Sequence, residues 1–272
     1  KFQSILIKIL NFMNKKQKTL LITGGLGGIG SEIVDFFYQK NLIIIILDNK
    51  SNNIFLKIFK SKTKNNNLLI YKKIDLSKPN LIKTYFNQLK KNNIIINILI
   101  NCAGFQHVAS VEKFEDTIWE NIIAVNLSSA FYTSKYVLPF MKKNKWGRII
   151  NIASVHGQVA SINKSAYVAS KHGMIGLTKT IALETAKLSI TCNAICPGWV
   201  NTPLVSKQIS QRAKKNNTSK MKEEFKLLKE KQPNLSFIKG KDIAAIAYFL
   251  CSEEANDITG AAINIDGGWT SQ

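Results

Sequence analysis

With 272 residues and 45% apolar content, the chain can bury a sizeable core, and no Pro/Gly/Ser-rich linker or internal repeat divides it. Its formal charge of +21 raises nucleic acid or a membrane as partner. The only arginines, however, are Arg148 and Arg212, whereas phosphate and base-edge recognition leans on arginine forks. The lysine excess rises together with asparagine and isoleucine, as in an A/T-biased coding sequence, and no aromatics interleave with a basic stripe. Neither a nucleic-acid nor a membrane partner is expected.

The chain opens on KFQSILIKILNF, ahead of Met13. This apolar run is interrupted by Lys8 and is far shorter than the ~20 residues a bilayer span needs. Residues 1–18 read as an extension from a start placed upstream of Met13, as a basic targeting peptide, or as a surface-lying helix. Thr19 to Thr23 then reads as a buried strand opening into GGLGGIG, followed by a helix from Ser31 to Lys40 with Ile33, Val34, Phe36 and Phe37 at helical spacing. Leu42 to Leu47 is a second strand, ending in Asp48, and Leu68 to Ile74 a third, ending at Asp75. A helix over Leu81 to Lys90 leads to a fourth strand, Ile94 to Ile100, which ends in NCAG.

A long helix covers about Trp119 to Met141, Arg148 to Ala153 is a fifth strand, and Tyr167 to Lys187 a helix. Ile190 to Cys196 is a sixth strand, ending in PGWV. Val205 to Lys231 is lysine-rich and helical, Asp242 to Leu250 is a helix, and Ala261 to Ile265 the last strand. Cys102, Cys192, Cys196 and Cys251 lack a neighbouring histidine at zinc spacing and read as small apolar residues in a reducing compartment. No metal is expected. Continuous apolar strands alternating with amphipathic helices indicate a single-domain, doubly wound α/β fold with a mostly parallel seven-stranded sheet over residues 19–272. Ligands in such sheets bind outside the carboxyl ends of the strands. The polar residues gather at those ends: the glycine loop, Asp48, Asp75, NCAG, Ser154 and PGWV.

A glycine-rich turn between strand and helix lets backbone N–H groups and the helix N-terminus approach a pyrophosphate. Two registers fit: Gly25, Gly27 and Gly30 as G-x-G-x-x-G, or Thr23, Gly24, Gly28 and Gly30 as T-G-x-x-x-G-x-G. Asp48, closing the next strand, is placed to accept both hydroxyls of an adenosine ribose and to repel a 2′-phosphate. The loop holds no Lys or Arg to receive that phosphate, so NAD is expected over NADP. Asp75 is placed to meet the adenine, or to cap a helix.

Tyr167 and Lys171 lie four residues apart on a helix and share one face. An ammonium beside a phenol favours the phenolate, lowering its pKa from ~10, as a general base for an alcohol proton requires. Ser154 ends the fifth strand, within reach of the reacting oxygen.

Together TGGLGGIG, NCAG, Asn126, Ser154, YVASK and Pro197–Gly198 resemble the short-chain dehydrogenase/reductase family, over about Thr19 to Trp269. The resemblance implies a Rossmann fold and a homotetramer. It implies Tyr167 as acid/base, Ser154 polarising the substrate oxygen, Lys171 holding the nicotinamide ribose and Asn126 anchoring a relay water. It extends the cofactor contacts to Thr23, Gly24, Gly28, Ile29, Gly30, Asp48, Asp75 and Leu76, to Asn101, Ala103 and Gly104, and to Pro197, Gly198, Val200 and Thr202. One departure is Cys102, where the family usually carries a second Asn.

Within that family, GFQH, SVHGQVASINKSAY, ICPGWVNTPLVSKQIS, EKQP and DGGWT are similar to the bacterial-type D-3-hydroxybutyrate dehydrogenases. That likeness implies a small hydroxy-acid substrate. Gln106, His156, Lys164 and Gln208 would surround its carboxylate, Trp199 and Trp269 would wall the pocket, and 205–231 would form a lid over it. A cytoplasmic location is expected, or an organelle matrix if residues 1–18 are a targeting peptide. The alternatives are another reductase of the same fold acting on acyl-thioesters or sugars, and a catalytically idle nucleotide-sensing Rossmann protein.

Overall fold

The computed structural model describes residues 17–63 and 69–271. The readings placed on residues 1–16, with the greater part of the N-terminal extension, lie outside the described residues.

Seven strands form one sheet: β1 (Thr19–Thr23), β2 (Ile43–Asp48), β3 (Leu69–Lys73), β4 (Ile98–Asn101), β5 (Gly147–Ile152), β6 (Ile190–Pro197) and β7 (Ala262–Ile265). Their order is β3-β2-β1-β4-β5-β6-β7, with every pairing parallel. The sheet is thus wholly parallel rather than mostly so. Chain direction across the sheet reverses between β1 and β4, and there the crevice for a ligand opens.

The helices are α1 (Gly28–Tyr38), α2 (Asn52–Thr63), α3 (Pro79–Lys91), α4 (Asp116–Ile123), α5 (Ser129–Asn144), α6 (Ser165–Thr185), α7 (Pro203–Lys215), α8 (Lys220–Lys231) and α9 (Gly240–Phe249). Strand residues alternate between two cores, as a period of two demands. Leu20, Ile22, Ile44 and Ile46 pack with Ile33, Val34 and Phe37 of α1 and Ile243 and Ala247 of α9. Leu21, Ile43, Ile45 and Leu99 pack on the other face with Ile82, Phe86 and Leu89 of α3 and Val137 and Met141 of α5.

Four elements depart from the sequence reading. Helix α2 was not expected, because asparagine and lysine dominate its surface; it is held by Phe55, which stacks on Tyr71 at 4.9 Å. Strand β4 starts at Ile98 rather than Ile94: Asn97 Oδ1 accepts the Thr19 N–H at 2.8 Å, so a side chain stands in for a ladder bond. The long helix begins at Asp116 and widens into a π-turn over Ala124–Ser128, which carries Asn126. The stretch 205–231 is two helices, broken by Asn217 at φ 49 and restarted by Ser219, whose hydroxyl accepts the Lys222 N–H.

Candidate active site

A cleft of about 610 Å³ opens at the carboxyl ends of β1, β2 and β4. Its floor is the glycine loop. Gly24 takes φ +68 and passes so close to β4's exit that a Cβ would lie 2.6 Å from Ala103 Cα. At Gly28 a Cβ would lie 2.7 Å from Thr202 Cγ2, so the loop sits directly under the start of α7. Gly24 and Gly28 belong to the Thr23-Gly24-x-x-x-Gly28-x-Gly30 register, while in the other register a Cβ at Gly25 would lie 2.7 Å from Ile46 Cγ2. Helix α1 starts at Gly28, and its first-turn N–H groups have no carbonyl four residues back, the arrangement that accepts a pyrophosphate.

Asp48 ends β2 with its carboxylate 5% exposed at the cleft wall. Its Oδ2 accepts the Leu26 N–H at 3.0 Å and its Oδ1 the Lys50 N–H at 3.1 Å, leaving lone pairs for a ribose diol. The glycine loop carries no cation, but Lys50, just outside it, lines the cleft and donates to Leu26 O at 2.6 Å. Asp75 and Leu76 line the far end, where Asp75 also accepts the Ser77 N–H at 2.9 Å. Ile29, Gly30, Ala103, Gly104 and Thr202 are on the wall as well.

Thr23, Asn101, Pro197, Gly198 and Val200 are not among the residues lining this cleft. Thr23 Oγ1 accepts the N–H groups of Cys102 and Ala103, so the turn after β4 is bound without a second asparagine. Asn101 turns into the core, donating to Asn151 Oδ1 at 2.8 Å and accepting from Thr133. Gly198 N–H donates to Ile265 O, and Val200 is bridged to Ile238. Cys102 does line the cleft; burial pushes its thiol up to about 12, so it stays protonated.

Beside the cofactor end stand Tyr167 and Lys171, both on its wall. Lys171 Nζ donates to Ile152 O at 2.8 Å and lies 5.6 Å from the Tyr167 ring centroid. Burial holds its ammonium down to about 8. The sequence predicts a lowered phenol; in the protein alone desolvation pushes Tyr167 up, and a hydrogen bond from Ser154 opposes that rise. Added positive charge at this end of the cleft would bring the phenolate within reach. Asn126 is fully buried and clamps the loop after β4, accepting Phe105 N–H at 3.0 Å and donating to Phe105 O at 2.9 Å.

Past Tyr167 follows a cluster of rings with Lys164 against it. His156 meets Tyr167 at 5.8 Å and Trp269 at 5.4 Å, ring centroid to centroid, and Trp269 meets Trp199 at 5.5 Å. The Lys164 ammonium lies 4.7 Å above the Trp199 ring. It is buried, and burial together with the nearby Arg212 guanidinium holds it down to about 8. No carboxylate among the described residues pairs with it. Gln208 Oε1 and Trp199 Nε1 are likewise buried without a hydrogen-bond partner. Two polar groups taken from water without a partner are costly unless a ligand meets them. Gln106 is half-buried in the loop after β4.

The covering segment is a helical hairpin. Thr202 caps α7 by accepting the Val205 N–H at 3.3 Å. Val205, Ile209 and Leu227 pack together against Trp199 and Phe237, and Gln208 is carried on the same helix. The hairpin is braced by buried Glu223, which pairs with Arg212 and accepts from Thr218 Oγ1 at 2.8 Å. Neither this brace nor Ser161, whose hydroxyl lies 2.9 Å from His156 Nε2, has a signal in the sequence. Among the described residues no cluster of His, Cys, Asp and Glu suits a metal ion, and no helix is long and apolar enough to cross a membrane.

The family model for short chain dehydrogenase matches residues 18–213. D-beta-hydroxybutyrate dehydrogenase of Cupriavidus necator is 44% identical, over 94% of this chain and 98% of its own. A protein of the same name from Rhizobium meliloti is 40% identical, over 94% and 99%. A solved 4-hydroxyisoleucine dehydrogenase mutant, complexed with NADH and succinate, superposes with a TM-score of 0.83 at 34% identity, covering 94% of this chain and 99% of that one. By its sheet order, its strand-end cleft and these likenesses, the chain belongs to the short-chain dehydrogenase/reductase family.

Proposed function

We propose that this oxidoreductase interconverts (R)-3-hydroxybutyrate and acetoacetate with NAD as its cofactor. The observation that carries the substrate is Lys164: a buried ammonium without a carboxylate partner among the described residues, linked to Tyr167 through the rings of Trp199, Trp269 and His156. A C4 hydroxy acid has one carboxylate, one hydroxyl and little apolar surface, so a cation with hydrogen-bond donors must orient it. Lys164 meets the carboxylate, with Gln106, His156 and Gln208 as its further partners by the family resemblance, and Trp199 and Trp269 limit the chain length. The hydroxyl then falls to Ser154 and Tyr167. Two relatives that carry the D-beta-hydroxybutyrate dehydrogenase name support the reading, as does a neighbour that holds succinate, another four-carbon acid.

The cleft fits the cofactor: its glycines leave no room for a Cβ where the loop meets β4 and α7, and Asp48 presents a carboxylate where a ribose diol would sit. When bound, the nicotinamide supplies the hydride acceptor. Lys171 holds its ribose and tunes Tyr167, which removes the hydroxyl proton in oxidation and returns it in reduction. Ser154 holds the reacting oxygen, Asn126 keeps the loop after β4 in place as the site of the proton relay, and α7–α8 covers the substrate. Asp48 opposes a 2′-phosphate, which favours NAD.

The test is NADH formation from (R)- against (S)-3-hydroxybutyrate, with Lys164→Ala and Tyr167→Phe alongside. Activity on the (R) acid, lost in Tyr167→Phe and recovered only at high substrate in Lys164→Ala, is expected. An inert (R) acid sinks the substrate assignment, and full activity in Tyr167→Phe sinks the mechanism.

A further inference from the structure

Residues 233–236, the turn after α8, are exposed, yet Gln232 at the head of that turn is wholly buried. Burying a side-chain amide is costly unless both its ends are met, and here they are. Gln232 Oε1 accepts the Trp199 N–H at 2.7 Å, and Nε2 donates to Ser236 O. A backbone N–H needs an acceptor and a carbonyl needs a donor, so the amide can face only this way. The close approach is open because residue 198 is glycine: a Cβ there would lie 2.5 Å from Gln232 Oε1 and 3.0 Å from Asp266 Cα.

The same segment takes up the other side of Trp199, whose carbonyl accepts the Ile238 N–H at 2.8 Å. Both backbone polar groups of Trp199 therefore end on residues 232–238. Trp269 is tied to this segment as well. Asn234 N–H donates to Gly267 O at 3.1 Å, and Asp266 shapes the turn that carries Trp269 by accepting the N–H groups of Gly268 at 3.0 Å and Thr270 at 2.9 Å. The two indoles, 5.5 Å apart, are thus set from one turn, and that turn begins where α8 ends. Within it the Gln232 amide is the side-chain tie to Trp199, so a substitution can remove it and leave the backbone ties in place.

We infer that Gln232 fixes the position of Trp199 and thereby sets how long an acid the site accepts. What the indole faces rests on the proposed function; what holds it does not. Without the amide the Trp199 N–H loses its acceptor, and an unpaired N–H at such a place is costly enough to move the backbone toward another partner. The indole moves with it. One methylene in a fitted apolar pocket is worth about 10–200-fold in discrimination, so a small retreat of the wall is enough to admit a longer chain. Gln232 is a positioning residue, acting on the substrate through Trp199.

Gln232→Met keeps the volume and removes both hydrogen bonds, whereas Gln232→Glu keeps the acceptor and, protonated by burial, the donor as well. In the wild type kcat/KM for (R)-3-hydroxyhexanoate should lie about 100-fold or more below that for (R)-3-hydroxybutyrate. Gln232→Met should narrow this gap about tenfold or more, and Gln232→Glu should hold it within about threefold of wild type. A merely structural role would lower both acids alike and leave their ratio unmoved. With ¹⁵N-labelled tryptophan, of which the chain has four, the Trp199 backbone amide should be protected from exchange in the wild type and exchange about tenfold faster in Gln232→Met. An unprotected Trp199 amide in the wild type, a ratio within about twofold of wild type in folded Gln232→Met, or a Gln232→Glu that shifts it as far as Gln232→Met overturns the inference. Butyrate and hexanoate binding to the NADH-loaded protein repeats the comparison without turnover. If (R)-3-hydroxybutyrate is inert but hexanoate gains on butyrate in Gln232→Met, the substrate reading fails while the role of Gln232 stands.

Discussion

Replacing Lys164 with methionine should stabilise the protein while removing its grip on the acid. The stem length is nearly kept, the thioether lies over Trp199 where the ammonium now sits at 4.7 Å, and no capping bond is lost, since Lys164 makes no side-chain cap to α6. Burial and Arg212 bring the ammonium from the ordinary 10.5 to about 8. At about 1.4 kcal/mol per tenfold change, this corresponds to roughly 3 kcal/mol of strain on the charged form. Attraction to the Trp199 face offsets about 1–2 kcal/mol of it, a third to two-thirds. A net gain of about 1–2 kcal/mol is expected at pH 7, or several degrees in Tm at roughly 2–4 °C per kcal/mol.

The pH dependence follows from the direction of the shift. Below about 8 the folded and unfolded chains both hold the proton, so the destabilisation is fully present. Between about 8 and 10.5 the folded chain sheds the proton before the unfolded one does, so wild-type stability recovers toward the variant's. Thermal melts at pH 7 and above pH 10 measure this, with the inhibition constant of a non-reacting short carboxylate as the functional readout. That constant should weaken about 100-fold or more in the variant, as for loss of one partner of a buried charge pair. In the wild type it should weaken as pH rises through about 8. A variant less stable than wild type at pH 7, or one that still binds the carboxylate, would refute the reasoning.

Asp48→Ala removes the acceptor facing the ribose end and releases the Leu26 N–H; KM for NAD should rise roughly 10–100-fold and discrimination against NADP should collapse, read from initial rates with each cofactor. Gly24→Ala places a Cβ 2.6 Å from Ala103 Cα at φ +68; about 2–4 kcal/mol of destabilisation is expected in urea melts, with cofactor affinity lost in the folded fraction. Glu223→Gln removes the carboxylate that braces α7 and α8, so limited proteolysis within 203–231 should speed up while the core's melting changes little. The Thr218 hydrogen bond holds that carboxylate well down, to about 2. In the wild type the brace should therefore survive at pH 5 and fail only as pH falls from the ordinary carboxylate range through about 2.

The sheet was legible because parallel strands covered on both faces must be apolar throughout, and runs such as Leu42–Leu47 have no other comfortable home. Tyr167 and Lys171 were legible for a similar reason: helical spacing alone places them on one face. What stayed hidden lacked a period or depended on a distant partner. Helix α2 carries its packing on Phe55 and Phe59 amid lysine and asparagine, and Tyr71, on which Phe55 stacks, belongs to the next strand. Spacing marks Gly25 as readily as Gly24; the positive φ of Gly24 and the approach of Ala103, 79 positions along and just past β4, set Gly24 apart. Ser161 shows no signal, because its significance arises from a histidine five residues back folded against it by a turn.

Lys164 and Lys171 show why pKa alone does not identify a binding group. Burial brings both down to about 8, and by titration the two would look alike. Their partners differ. Lys171 spends a proton on Ile152 O at 2.8 Å and is thereby fixed at one height beside Tyr167, where its charge acts on the phenol whether or not an acid is present. Lys164 has an aromatic face beneath it and a guanidinium nearby, which leaves its donors unmatched among the described residues. A buried cation with an acceptor can be a permanent part of the fold, whereas one without an acceptor is destabilising until an anion arrives. Arg148, Lys164 and Lys171 are the buried cations among the described residues, and of these Lys164 is the one for which a substrate carboxylate is the proposed partner.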